Sequence, residues 1–208
     1  MIMRSVFIFI LGWFYFSGYA QVINFPDPNF KKALVSTKCA DLDGDNIGDA
    51  DADLNGDGEI DVSEALTING LRLATNQISS LNGIENFSNL EFLRCVSNKL
   101  DSLNVNDLHN LTYLDCSNNQ IKKLILNDLK KIKQLYCERN GMQFLHLNNL
   151  ENITLIQCGI NELQKVTINK LPNLETFSCY ENPLDSLDFS GCTNLKKLHC
   201  PKNNLAYI

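Results

Sequence analysis

The chain has 208 residues and a formal net charge of −6, and its 31 Leu and 27 Asn exceed a quarter of the total, far above average usage. Only 20% of residues are charged, and a nucleic-acid binder would need a basic face, which disfavours that class. An apolar fraction of 44% is ample for one domain or a small array, and high Leu with high Asn points to a repeat in which every unit needs both.

In chain order, residues 1–20 come first. Arg4 is followed by an apolar run from Val6 to Phe16, broken only by Gly12, and then by Gly18-Tyr19-Ala20. This is the three-part layout of a secretory signal peptide, with cleavage expected before Gln21. A membrane span needs ~20 apolar residues, so the run is too short to anchor the chain. No Cys follows the cleavage point, and no later segment could span a bilayer. The mature chain is expected to be secreted or displayed at the cell surface.

Residues 21–67 read as a small helical cap. Asp27-Pro28 has the form of an N-cap and first helical position, with Phe30, Ala33 and Leu34 on one apolar face. Residues 39–71 hold ten acids and no Lys or Arg, so removing them changes −6 to +4 and the acidity is local. Within this stretch, Asp53 to Glu64 fits a twelve-position EF-hand loop. Asp53, Asn55 and Asp57 offer side-chain oxygens, Glu59 a backbone carbonyl, Asp61 a direct or water-mediated ligand and Glu64 two oxygens. Gly58 permits the sharp turn and Ile60 points inward. The donor set is that of a hard cation, and calcium is the expected cofactor. The preceding Asp41, Asp43, Asp45 and Asp49 resemble a thrombospondin type 3 calcium repeat, but its twelfth position is Ala52, so the last ligand is missing or comes from Asp51 or Asp53. The loops abut, unlike a paired EF-hand sensor or a complete dockerin module. The ion would therefore be structural, screening carboxylates that otherwise repel and folding the segment. Val62 to Leu66 reads as a short exit helix.

From Ile68 the chain repeats. Units start at Ile68, Leu90, Leu111, Ile132, Ile153, Leu174 and Leu195, one step of 22 residues and five of 21. The shared pattern is L-x-x-L-x-C-x-x-N-x-L-x-x-L, with Asn at the ninth position of all seven units, from Asn76 to Asn203. Here residues 68–208 resemble the leucine-rich repeat family, in its 21–22-residue bacterial, internalin-like form. The resemblance implies an α/β solenoid with a parallel sheet on the concave face. The acidic segment likewise resembles the N-terminal caps of secreted bacterial members. Independently, positions 1, 4, 6, 11 and 14 should form a continuous core that no unit closes alone, and the Asn row should bond backbone groups in the turn after each strand. The convex side has too few residues for long helices, so 3₁₀ turns or irregular backbone are expected there.

Cys95, Cys116, Cys137, Cys158, Cys179 and Cys200 share position six. Stacked side chains sit ~4.8 Å apart, beyond the ~3.5–4.5 Å between Cβ atoms that a disulfide wants, so a reduced, packed column is expected. Cys39 and Cys192 fall outside it and have no assignment from the sequence.

The sequence offers no catalytic motif: His109, His146 and His199 occupy different repeat positions, and no G-x-S-x-G, H-E-x-x-H or P-loop occurs. No enzymatic activity is expected. The outward strand positions three, five and seven vary while the core rows do not. Phe92, Arg94, Tyr113, Asp115, Tyr136, Glu138 and Tyr180 on these rows are the candidate contacts for a protein or other macromolecule, since aromatics and Arg anchor interfaces. The internalin-like resemblance implies adhesion or recognition. The alternative is an accessory or structural module of a larger exported protein or enzyme, because a solenoid needs a closing cap and the seventh unit is incomplete at Ile208.

Overall fold

The computed structural model describes residues 21–127 and 129–206; the signal-peptide reading lies outside the described residues. From Gly70 onward the chain winds as a leucine-rich-repeat β-solenoid. Positions three to five of each unit form a three-residue strand, and all seven pair in parallel, from Gly70–Arg72 through Phe92–Arg94, Tyr113–Asp115, Gln134–Tyr136, Leu155–Gln157 and Thr176–Ser178 to Lys197–His199. The register is unit on unit, Leu71 opposite Leu93 and Leu93 opposite Leu114. The cap adds an eighth strand, Ala40–Asp41, antiparallel to Gly70–Arg72.

The predicted core rows are buried through the sixth unit, apart from half-buried Leu124, and open in the seventh, where Leu198 is 39% exposed. Two further rows complete the interior. Position sixteen supplies Val105, Leu126 and Leu147, and position nineteen supplies Leu108, Leu129, Leu150, Leu171 and Cys192. Cys192 thus fills a leucine place in an apolar row. All eight cysteines are free, and five of the position-six column are wholly buried. Burial pushes the thiols of Cys95, Cys116, Cys137 and Cys158 up.

The side opposite the main sheet meets the expectation of 3₁₀ turns in one unit and departs from it in the units that follow. A 3₁₀ turn forms at Ile84–Asn86 in the 22-residue unit. Farther along, Ser102–Asn104 pairs in parallel with Lys123–Ile125, and Phe144–Asn148 with Lys165–Asn169. These segments alternate an inward apolar residue with an outward polar one, as in Leu145-His146-Leu147. Stacking at a constant period brings their free N–H and C=O groups into register, so they pair as strands.

The Asn row does what its position predicts. Asn140 Nδ2 donates to the carbonyls of Cys116 and Cys137, at 3.1 and 3.2 Å, while its Oδ1 accepts from Ile121 N at 2.9 Å. Asn119, Asn161, Asn182 and Asn203 repeat the arrangement. A second, exposed row accounts for more of the asparagines. Asn110, Asn152 and Asn173 each donate from Nδ2 to a carbonyl 22 residues earlier, those of Ser88, Lys130 and Glu151. Lys131 stands in that row where Asn is missing, and its Nζ donates to Asn110 Oδ1.

In the cap, helix α1 (Pro28–Ser36) is N-capped by Asp27 and buries Phe30, Ala33 and Leu34, while α2 (Val62–Ala65) is capped by Asp61 in a capping box with Glu64. Asp27 also joins cap to solenoid, its Oδ2 accepting from Ser79 N, Ser79 Oγ and Ser80 N. Among the described residues no helix is long and apolar enough to cross a membrane.

Candidate functional site

Two places concentrate the candidate residues: the acidic loops of the cap and the outward side of the eight-stranded sheet.

The acidic segment is built as two loops offset by twelve residues. Asp41 accepts from Gly44 N and Asn46 N, and Asp53 accepts from Gly56 N and Gly58 N. Asp43 accepts from Asp45 N as Asn55 does from Asp57 N, and Asp45 from Ile47 N as Asp57 does from Glu59 N. The fourth and sixth loop positions are left-handed in both: Gly44 and Asn46, then Gly56 and Gly58. D-L-D-G-D and D-L-N-G-D, twelve apart, carried that signal in the sequence. Ile60 is fully buried, as the loop reading requires.

The loops differ in how their oxygens are placed. Asp41, Asp43 and Asp45 bring one carboxylate oxygen each to within 4.8 Å of one another. Among the described residues no such group forms from Asp53, Asp57, Asp61 and Glu64. Glu64 is turned onto backbone donors, Oε1 accepting from Asn55 N and Oε2 from Asp61 N, and Asp61 Oδ1 accepts from Glu64 N. The Glu59 side chain pairs with Lys31 at 2.6 Å. Asp49 lies outside the gathered trio, its N–H donating to Ala40 O. The hard-oxygen donor set suits a divalent cation in either loop, with the first preassembled and the second needing Glu64 to exchange its bonds.

The outward sheet face carries a column of stacked side chains. Phe92 and Tyr113 stack with centroids 4.5 Å apart and planes 14° apart, and Tyr136 continues at 5.3 Å. The Arg72 guanidinium lies 5.0 Å over the Phe92 ring. Arg94 Nε is 3.4 Å from Asp115 Oδ2. That is an ion-pair distance too long for a good hydrogen bond, and the Nε atoms of both Arg72 and Arg94 are buried without a hydrogen-bond partner. Each such N–H costs about 1–3 kcal/mol. Burial, and then Asp115, pushes the Tyr113 hydroxyl up to about 12.

Further along, the Tyr180 ring lies against Gly159, where a Cβ would come within 2.3 Å of it. Burial raises the Glu138 carboxyl, opposed by a hydrogen bond from Tyr180. The structure thus brings Phe92, Arg94, Tyr113, Asp115 and Tyr136 into one contiguous column, with Glu138 and Tyr180 as a second cluster. Phe92 and Asp115, each 8% exposed, support the column more than they face solvent. Arg72 belongs to the column and was missed. Its signal was the register, position five in the unit before Arg94.

Neither a family model nor a curated protein sequence matches the chain. Solved structures do. An internalin (InlF) from Listeria monocytogenes matches with a TM-score of 0.56 at 20% identity, over 88% of this chain and 58% of that one. Internalin C2 from the same organism gives 0.60 at 19% identity, over 91% of this chain and 88% of that one. A chain solved in the TLR13–ssRNA13 complex gives 0.55 at 20% identity, over 68% of this chain and 22% of that one. The chain therefore spans little more than half of internalin F. These likenesses show the leucine-rich-repeat fold.

Proposed function

We propose that the chain is an exported protein-recognition module that binds a macromolecular partner, a protein in adhesion or recognition, through the concave side of its main sheet. The column of Arg72, Phe92, Tyr113 and Tyr136 carries this reading. The core and Asn rows repeat from unit to unit, whereas the outward rows vary and gather aromatic and arginine side chains, the types that supply interface energy. Replacing Tyr113 by Ala and Arg94 by Glu together should abolish capture of the partner that the wild-type chain retrieves from native extracts. Undiminished capture by a correctly folded variant would overturn the face assignment.

We further propose that calcium holds the cap. The reading rests on two loops with hard oxygen donors at equivalent places, one of them with three carboxylates gathered. Asp41, Asp43 and Asp45 would hold one ion, with Asp49 near the loop's end. Asp53, Asn55, Asp57, the Glu59 carbonyl, Asp61 and Glu64 would hold the other. Bound calcium would screen the clustered carboxylates, which is a structural role. Free calcium at a hundred times Kd stabilises a fold by about 2.7 kcal/mol, so adding chelator should lower the melting temperature. Asp41→Asn should remove part of that response and Glu64→Gln another part. A melting curve indifferent to chelator would sink the proposal.

A further inference from the structure

We propose that Arg72 and Arg94 form one anchor for a carboxylate on a polypeptide partner, an acidic side chain set in an otherwise neutral or apolar segment. The inference deepens the recognition reading above and rests on it.

The strand register places the two arginines directly opposite each other on adjacent strands, ~4.8 Å apart by strand spacing. Like charges so placed repel. Asp115 answers only part of that charge: it stands beside Arg94, and its Oδ1 is already engaged by Ser117 N at 3.1 Å. Among the described residues no carboxylate lies within ion-pair distance of Arg72. Both Nε–H groups are covered and make no hydrogen bond, Arg94 Nε keeping only its 3.4 Å ion-pair contact with Asp115, while 43% of the Arg94 side chain remains in solvent. With the Nε atoms covered, an incoming carboxylate meets the terminal nitrogens of each guanidinium, which present two parallel N–H donors. Phe92 and Tyr113 stand between and beside the pair with their ring faces occupied by Arg72 and by each other. Ring edges and the Tyr113 hydroxyl are what remain for the residues flanking the carboxylate.

The charges around the pair select the occupant. Asp115 and Glu138 lie farther along the face. A uniformly anionic polymer running along the face would meet these carboxylates beside the arginines, and the whole chain carries −6. A single carboxylate avoids that repulsion.

The test uses the 15N-labelled chain and the synthetic peptide acetyl-Ala-Phe-Glu-Phe-Ala-amide, with Gln in place of Glu as its control. The Glu peptide should move the Nε–Hε resonances of both arginines in a saturable way. The Gln peptide should bind at least about tenfold more weakly, the loss expected for a charge-assisted pair. Arg72→Gln should give a similar loss, and Arg94→Lys, which keeps the charge but not the fork, an intermediate one. Equal binding of the two peptides would overturn the carboxylate anchor. So would movement of the Tyr113 and Tyr136 backbone amide signals with the arginine signals still, although that result leaves the recognition face standing. Stillness of every face resonance at millimolar peptide would count against both. Heparin competing with the peptide at higher affinity and the same Arg72 dependence would make this a polyanion site and overturn the proposal.

Discussion

At the residue scale, the repeat carries a recurrent strain. Position eight of every unit is left-handed: Thr75, Ser97, Asn118, Arg139, Ile160, Glu181 and Lys202 have φ between 52° and 60°. The conformation costs a non-glycine residue roughly 1–2 kcal/mol, least for Asn, and Ile160, β-branched, suffers most. Ile160→Asn should stabilise the chain by about 1 kcal/mol, a rise of about 2–4 °C in Tm; a fall in Tm would show that the side chain's packing outweighs its backbone strain. The two asparagine rows make opposite predictions. Asn140→Ala leaves the part-buried Ile121 N–H and the carbonyls of Cys116 and Cys137 without their side-chain partner, at about 1–3 kcal/mol by denaturant unfolding. Asn152, exposed, donates to a carbonyl that water can reach, so Asn152→Ala should cost below about 1 kcal/mol. Equal losses would refute the distinction.

At the element scale, one carboxylate reinforces the junction that the Ala40–Asp41 strand makes with Gly70–Arg72. Burial raises the Asp27 pKa, but hydrogen bonds from the Ser79 hydroxyl and the N–H groups of Ser79, Phe30 and Ser80 outweigh it and bring it from 3.8 down to about 2. A folded pKa below the unfolded one favours the folded state when the group is ionised. The contribution, about 2 kcal/mol, is present above pH 3.8 and is lost as pH falls through about 2. The stability gap between wild type and Asp27→Asn should therefore be flat at neutral pH and close across that acid window. A gap that persists unchanged into acid would mean that the ionised carboxylate is not the joint. None of this was visible in the chain, because Ser79 lies 52 residues from Asp27 and belongs to no repeating pattern. The α1 cap was visible, since an N-cap needs only neighbours in sequence. The paired strands opposite the main sheet were not, because short extended segments pair only when successive units stack in register.

At the scale of the molecule, burial is graded along the solenoid. Cys95 to Cys179 are wholly buried, whereas Cys200 is half-buried in the seventh unit, beside the partly exposed Leu198. A hydrogen bond from Cys179 lowers the Cys200 thiol, and the same bond, with burial, raises that of Cys179. A thiol reagent at mildly alkaline pH should thus label Cys200 first in the native chain, and Cys95 to Cys158 only with unfolding. Prompt labelling of Cys116 or Cys137 would contradict the packed column.

The sequence by itself determined the period, the core rows, the backbone-bonding asparagine row and the free cysteine column. Each of these recurs every 21 residues, and a feature imposed by identical local geometry must reappear at identical spacing. It also named most of the outward residues that meet, since register follows from the period. Positions sixteen and nineteen escaped because their apolar residues fall outside the pattern anchored on leucine and asparagine, and Cys192 became intelligible only as one of that row. The tertiary structure alone decided which outward side chains remain free. Phe92 and Asp115 are consumed by their neighbours, Tyr180 settles on Gly159, and Arg72 joins the column, because ring tilt and side-chain packing depend on the particular residues of adjacent units and obey no period.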